Sequence, residues 1–255
     1  MTSALRRPAG RRLGASGRAA DRVLACGPVG DQTGLEDTGW ASSLAPAMAR
    51  SRVDARTASC TRVHRDAFSG SFLSALGPEF LEAFYAEIFD QDGVHCLLTY
   101  DPDGVDDDGV ITGVLVYYGP GQELKLLPIL RRLGPVGALR AGRSAMRHRQ
   151  GRFGLLENLG VRPGTRPAPA RDSIYLASIA VDPASRGLGL GSRLLDELLR
   201  RARDEQVPVC LETQSDPDSA AWHLYVSRGF VTESTHRRVG GEVRAALCWD
   251  EGSTT

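Results

Sequence analysis

The segment Val181-Asp182-Pro183-Ala184-Ser185-Arg186-Gly187-Leu188-Gly189-Leu190-Gly191 places glycines at three alternate positions, behind an arginine and ahead of Ser192. This composition suits anion binding. Without a Cβ in the way, successive backbone N–H groups can turn toward a pyrophosphate and approach it closely. A helix starting here would add unpaired N–H groups and the positive end of its dipole. Arg186 and Ser192 could add side-chain donors. A tight structural connection would use glycine in the same way, so the loop alone does not decide between the two. Two nucleotide-binding motifs are excluded. The Gly-Lys-Ser/Thr ending of a P-loop is absent, and the spacing Gly187-x-Gly189-x-Gly191 is not the Gly-x-Gly-x-x-Gly of a dinucleotide fold.

The remaining reactive side chains form no metal set. Five cysteines (Cys26, Cys60, Cys96, Cys210, Cys248) are odd in number and scattered, with no Cys-x-x-Cys or Cys/His ligand spacing. No structural zinc and a reducing cytoplasm are the expectations. His64 and His223 read as structural residues.

The elements that must carry the loop can be read from periodicity. Ser173 to Val181 suits a strand, and Ser192 to Asp204 an amphipathic helix with Leu194, Leu195, Leu198, Leu199 and Ala202 on one face. Val207 to Thr213 follows as a strand. Asp218 to Ser227 is a helix closed by Gly229, and Phe230 to Glu233 and Val243 to Trp249 are a final pair. Upstream, helices are expected within 58–90, where Pro78 and Glu79 mark a helix start. Val94 to Thr99 and Val110 to Tyr118 form a hairpin around the acidic Asp101 to Gly109. Residues 119–168, interrupted by glycine and proline, are an insertion with two short helices near 123–133 and 136–149.

Charge is balanced at 31 basic and 31 acidic residues, which gives no global argument for nucleic acid or an anionic membrane. No run approaches the ~20 apolar residues of a membrane span. Residues 1–47 are rich in Arg, Gly, Ala and Ser, without hydrophobic periodicity. A disordered extension, or translation starting at Met48, fits this composition, and a transit peptide shares it. Val23-Leu24-Ala25-Cys26 looks like a lipoprotein cleavage site, but Arg18, Asp21 and Arg22 stand where an apolar stretch is needed. The expected domain is therefore 48–255.

Two elements in the right order carry a family resemblance. Arg186, Gly189 and Gly191 resemble the Arg/Gln-x-x-Gly-x-Gly/Ala loop of the GNAT superfamily of N-acetyltransferases, preceded by Ile179-Ala180-Val181-Asp182-Pro183. Downstream, Ala221, Leu224, Tyr225, Gly229 and Phe230 are similar to that family's Asn-x-x-Ala-x-x-Leu-Tyr-x-x-x-Gly-Phe element, with Asp218 where asparagine is usual. The resemblance implies an α+β fold: a central twisted, mostly antiparallel sheet flanked by helices, whose fourth and fifth strands splay apart. A first strand near Ser51 to Arg56 is not visible.

The resemblance also implies a mechanism. Acetyl-CoA would be the acyl donor, held by Ile179, Ala180 and Val181 along pantetheine and by Arg186, Gly187, Leu188, Gly189, Leu190, Gly191 and Ser192 around the pyrophosphate, with Asp218 and Tyr225 nearby. A neutral amine would attack the thioester directly, with no covalent enzyme intermediate, and a backbone N–H near Ile179 or Ala180 would steady the oxyanion. Tyr225 would be the acid that protonates the leaving thiolate. Glu212, in a Leu211-Glu212 pair similar to that of ribosomal-protein N-terminal acetyltransferases but one residue further from the tyrosine, would be the base.

The stretch His64-x-x-Ala67-Phe68-x-Gly70-Ser71-Phe72-Leu73-Ser74-x-Leu76-Gly77-Pro78-x-Phe80-Leu81 resembles a GNAT subgroup found with polysaccharide and sugar-assembly genes. It implies a small amine acceptor such as an amino sugar. A protein or peptide acceptor, or a non-catalytic acyl-CoA sensor, is the alternative, and a homodimer is compatible with either. In residues 119–152 eight cations face one acid. They could select a phosphorylated or nucleotide-linked acceptor, or simply form a solvated helix pair.

Overall fold

The computed structural model describes residues 23–26, 45–101, 110–147, 172–238 and 241–253. Seven strands form one sheet in the order β1-β2-β3-β4-β5-β7-β6. They are β1 (Val23–Cys26), β2 (Val94–Asp101), β3 (Val110–Tyr118), β4 (Ile174–Val181), β5 (Val209–Gln214), β6 (Val231–Arg237) and β7 (Val243–Trp249). Every neighbouring pair is antiparallel except β4 and β5.

Helices cover both faces. Alternation along β2 and β3 sends Cys96, Leu98, Val114 and Val116 to one face, where α1 (Ala45–Ala67), α3 (Pro78–Asp90) and α4 (Leu126–Arg147) cover them with Val63, Phe80, Phe84, Tyr85, Ile88 and Ile129. Leu97, Leu115 and Tyr117 point the other way. They meet α5 (Leu190–Glu205) through Leu194, Leu195, Leu198 and Leu199, and this second core runs on to Leu211, Leu247 and Trp249. With both faces covered, β2 and β3 read as nearly continuous apolar runs. Each of the four buried leucines contributes roughly 1.5–3 kcal/mol of transfer free energy. Two short helices also lie among the described residues, α2 (Phe72–Ala75) and α6 (Ala220–Val226). Pro78 opens α3 at its first turn, where its missing N–H costs nothing.

Two expectations are corrected. Residues 1–47 do not all lie outside the domain. Val23–Cys26 pairs with Thr99–Cys96 as the edge strand, and α1 is already helical at Ala45. The rest of that stretch lies outside the described residues. Four apolar or small residues suffice because β2 supplies the partner backbone. A first strand near 51–56 is indeed absent, since those residues belong to α1.

The cysteines are not all unpaired. Cys210 and Cys248 are bonded to each other, with Cα atoms 4.2 Å apart. The β5–β7 register sets them directly opposite one another, a proximity that a sequence separation of 38 hides. A cysteine pair bonded across β5 and β7 does not point to a reducing compartment. Cys60 and Cys96 are buried.

The expected helix pair in the insertion is present as the two arms of α4. Gly134 takes φ 63° and ψ 176° ahead of Pro135, breaking α4 between its two arms. Residues 148–168 of the insertion, and Pro102–Gly109 of the acidic turn, lie outside the described residues. Among the described residues, no helix is long and apolar enough to cross a membrane.

Candidate active site

A fork in the sheet organises the site. Strands β4 and β5 pair only at Ile174–Leu176 with Val209–Leu211, whereas β5 goes on pairing with β7 up to Gln214. From Ala177 and Glu212 onward the two strands part. An irregularity in the β3–β4 ladder between Val116 and Tyr117 leaves Ala177 as the extra residue of β4, at the point where the strands separate. Ile179, Ala180 and Val181 follow on the splayed stretch, paired to β3 on one side and free of β5 on the other. Their unpaired edge can offer backbone groups to an extended ligand.

The glycine loop closes this strand. Asp182 caps the turn Pro183–Ser185 by accepting from the N–H of Ala184 at 3.0 Å. Its carboxylate also takes a hydrogen bond from Arg62 of α1, whose other terminal nitrogen donates to the Ile111 carbonyl at 3.0 Å. The Arg62 guanidinium and the Ala184 N–H hold the Asp182 carboxyl below the usual carboxylate range. Gly187 and Gly189 then adopt φ 80° and 77°, left-handed conformations that a side chain strains, and a Cβ on either would project into open space. The backbone here is accessible. Gly189 begins α5, and no side chain caps that terminus. The first amides of a 16-residue helix thus remain available to an anion.

Around that terminus Arg186 and Leu188 are exposed and Ser192 is half-buried, while the Leu190 side chain is turned into the core. Leu190 and Leu188 can therefore contribute only backbone to a bound pyrophosphate. Asp218 is exposed and precedes the helix cap, which is Ser219, whose hydroxyl accepts from the Trp222 N–H at 3.2 Å.

Tyr225 sits near the end of α6 with 6% of its surface exposed, its ring edge-on to Phe230 at 5.7 Å. Burial, with Tyr175 of β4 adding to it, pushes the phenol well above its ordinary value. The side chain is therefore held in its proton-bearing form, as an acid must be.

Glu212 is the first residue of β5 past the fork. Arg238 donates to its Oε1 at 2.5 Å, Arg244 Nε lies 3.7 Å from the same oxygen, and His236 Nε2 lies 3.4 Å from Oε2. Both oxygens thus face cationic or protonatable partners. His64 is far from this cluster in character. It is buried among Phe68, Phe84 and Tyr85, with Nδ1 2.9 Å from the Tyr85 hydroxyl, and desolvation lowers its pKa to about 4. His223 is exposed on α6. Among the described residues there is no group of three His, Cys, Asp or Glu side chains that could hold a metal.

Arg62, His236, Arg238 and Arg244 carry no signal in the sequence. Each gains its position from a contact between elements: α1 against the exit of β4 for Arg62, and the β5–β7–β6 register for the others.

The profile of the acetyltransferase (GNAT) family matches residues 59–230, which contain the fork, the glycine loop and Tyr225. This chain belongs to that family and is a GNAT-type acetyltransferase that depends on an acyl-CoA donor. Solved structures of similar shape include a protein from Corynebacterium glutamicum described as histone acetyltransferase HPA2 and related acetyltransferase, at 20% identity over 76% of this chain and 90% of that one, TM-score 0.48. A putative acetyltransferase of the GNAT family from Desulfovibrio desulfuricans has 18% identity over 77% and 92%, TM-score 0.45. The ribosomal-protein-S18-alanine N-acetyltransferase from Escherichia coli has 17% over 66% and 76%, TM-score 0.39. No curated protein matches the sequence.

Proposed function

We propose that this enzyme transfers the acetyl group of acetyl-CoA to the primary amine of a small molecule, such as an amino sugar, by direct attack. The observation that carries this reading is the continuity of three features: an unpaired edge on β4, open backbone amides at the start of α5, and a buried, protonated phenol on Tyr225. Ile179, Ala180 and Val181 would run along pantetheine, and Arg186 to Ser192 would hold the pyrophosphate. The bound thioester supplies an activated acyl group. The chain's part is to aim it at the fork, to offer a β4 N–H to the developing oxyanion and to supply a proton from Tyr225.

A small acceptor is supported by the resemblance of residues 64–81 to the sugar-assembly subgroup. Ser71 and Ser74 of that stretch are tied to each other at the start of α2, with the Ser74 N–H donating to Ser71 Oγ at 3.2 Å. The Leu211-Glu212 pair, which favoured a peptide acceptor through a glutamate base, lends that alternative little support, because Arg238 and Arg244 already occupy the carboxylate.

The test is release of free thiol from acetyl-CoA against a panel of amino sugars, small amines and N-terminal peptides, with mass spectrometry of the acylated product. Gly189→Val serves as the control. A branched side chain at φ 77° strains the loop and fills the approach to its amides, so acetyl-CoA binding by calorimetry should be lost. Unchanged affinity would refute the placement of the pyrophosphate, and turnover confined to peptides would refute the acceptor class.

A further inference from the structure

Helix α4 has one side in the core and one side out of it. Ile129 from its first arm, and Ala141 and Ala145 from its second, enter the same core cluster as α3. The opposite positions are uncovered. Leu127 and Leu130 in the first arm, and Val136, Leu139 and Met146 in the second, are 45% to 61% exposed. Single exposed apolar side chains are ordinary on a protein surface, but Val136, Leu139 and Met146 keep helical spacing and share one side of their arm. Leu139 and Met146 also line one shallow depression, with the small Ala138 and Gly142 and with Arg143 and Arg147. All six lining residues belong to this one arm, so among the described residues no second element walls the depression.

Charge sorts the arginines of α4 in the same way. The helix contains no acid. Arg132 pairs with Glu87 and Asp90, and Arg140 with Glu79, so these two cations are engaged on the α3 side. Arg131, Arg143 and Arg147 are exposed and, among the described residues, meet no carboxylate.

We propose that the outer side of α4 seats on an anionic phospholipid bilayer, with Leu139 and Met146 entering the headgroup boundary and Arg143 and Arg147 meeting lipid phosphates. The inference goes beyond the acyl-transfer reading and does not rest on it. Three points choose a bilayer over a protein partner. Apolar and cationic side chains interleaved on one exposed helix make the composition of a helix lying in an interface, where arginine stems cover apolar surface and their guanidinium groups reach phosphate. A two-fold contact between copies of this chain would bring the arginines of both helices together, with no acid on either helix to offset them. Helix-in-groove recognition needs walls on two sides, and here one arm supplies every side chain. The helix would lie on the bilayer, since among the described residues no helix is long and apolar enough to cross one.

The experiment is co-sedimentation of the full-length protein with vesicles of phosphatidylcholine alone and of phosphatidylcholine mixed with phosphatidylglycerol, at low and high salt. The wild type should bind the mixed vesicles and leave the neutral ones, and added salt should weaken the binding. Leu139→Gln with Met146→Gln, and separately Arg143→Glu with Arg147→Glu, should each lower vesicle affinity roughly 10-fold or more. Circular dichroism and acetyl-CoA affinity should match the wild type in both variants, because all four side chains are exposed. A wild type that ignores the mixed vesicles overturns the proposal. So does wild-type binding by both variants, which would place the attraction elsewhere, as in the arginine-rich residues 1–22. Loss in only one of the two variants also overturns it, since the apolar and the cationic contacts are both required. A concentration-dependent dimer that the apolar pair breaks, without vesicle binding, would assign the face to a second copy and overturn it as well.

Discussion

Arg62 on α1 donates to the carboxylate of Asp182, the residue that caps the turn leading into the glycine loop. The contact ties the helical layer over β3 to the glycine loop, across 120 residues of sequence. It makes the loop's shape depend on a packing contact as well as on its glycines.

Asp182→Asn keeps the hydrogen-bonding shape but removes the charge, so the loop should loosen without unfolding. The expected result is a roughly 10-fold weaker acetyl-CoA affinity by calorimetry with kcat largely kept, in the range of one charge-assisted hydrogen bond. The pH sign follows from the lowered carboxyl. Stability from this contact is present above the unfolded value near 3.9 and is lost as pH falls through the lower folded value. Asp182→Asn should therefore remove part of the wild type's melting below about pH 4. An affinity equal to wild type would show that the loop holds its shape without Arg62.

Tyr225→Phe deletes the proposed acid and little else, since the ring's packing on Phe230 survives. Turnover should fall roughly 10- to 1,000-fold with acetyl-CoA affinity mostly kept. The raised phenol also predicts that wild-type turnover does not decline through deprotonation of this group at mildly alkaline pH. Equal turnover in the variant would remove Tyr225 from the reaction.

His64 offers a prediction in the core. Its folded pKa of about 4 lies below the unfolded value near 6.5, so the unfolded chain binds the extra proton first as pH falls. Stability is full above about 6.5, declines between there and about 4, and is flat below. The span corresponds to about 3 kcal/mol, an order-of-magnitude figure for a group this buried. His64→Gln should flatten that segment of a urea-melt series across pH, at some cost in stability at neutral pH from the disturbed Tyr85 contact. An unchanged slope would show that His64 does not set the acid sensitivity.

Periodicity was informative wherever one face of an element is buried. The boundaries of β3 at Val110 and Tyr118 and of β7 at Val243 and Trp249 match the apolar runs, and the leucine face of α5 is the buried one. The glycine loop was legible because its composition states its conformation. Relationships set by strand register were not. Nothing local to Cys210 and Cys248, or to Glu212 and His236, records that β7 lies between β5 and β6 and brings each pair together. Strand β1 failed for a different reason. Val23–Cys26 is too short for a period, and its arginine-rich surroundings speak for disorder, while its stability comes from the edge of β2.

The arginines of the insertion separate into two groups with different expected effects. Arg132 reaches back to α3, with Nε 2.9 Å from Glu87 and a second contact to Asp90, and Arg140 lies 3.1 Å from Glu79. Glu87 is nearly buried, so removing Arg132 leaves a carboxylate without its main partner. Arg132→Ala should cost about 1–2 kcal/mol, discounted because the guanidinium is itself partly exposed, and should lower Tm by a few degrees. Arg143 and Arg147 instead border a shallow apolar groove with Leu139 and Met146 on the outer side of α4, the helix that packs on α3 rather than along the β4–β5 fork. Arg143→Glu together with Arg147→Glu should therefore leave kcat/KM for the acceptor, and its dependence on salt, unchanged with folding intact. A fall of 10-fold or more that vanishes at high salt would instead make these arginines an anion-reading surface for a phosphorylated acceptor, because screening removes long-range attraction but not a direct packing defect.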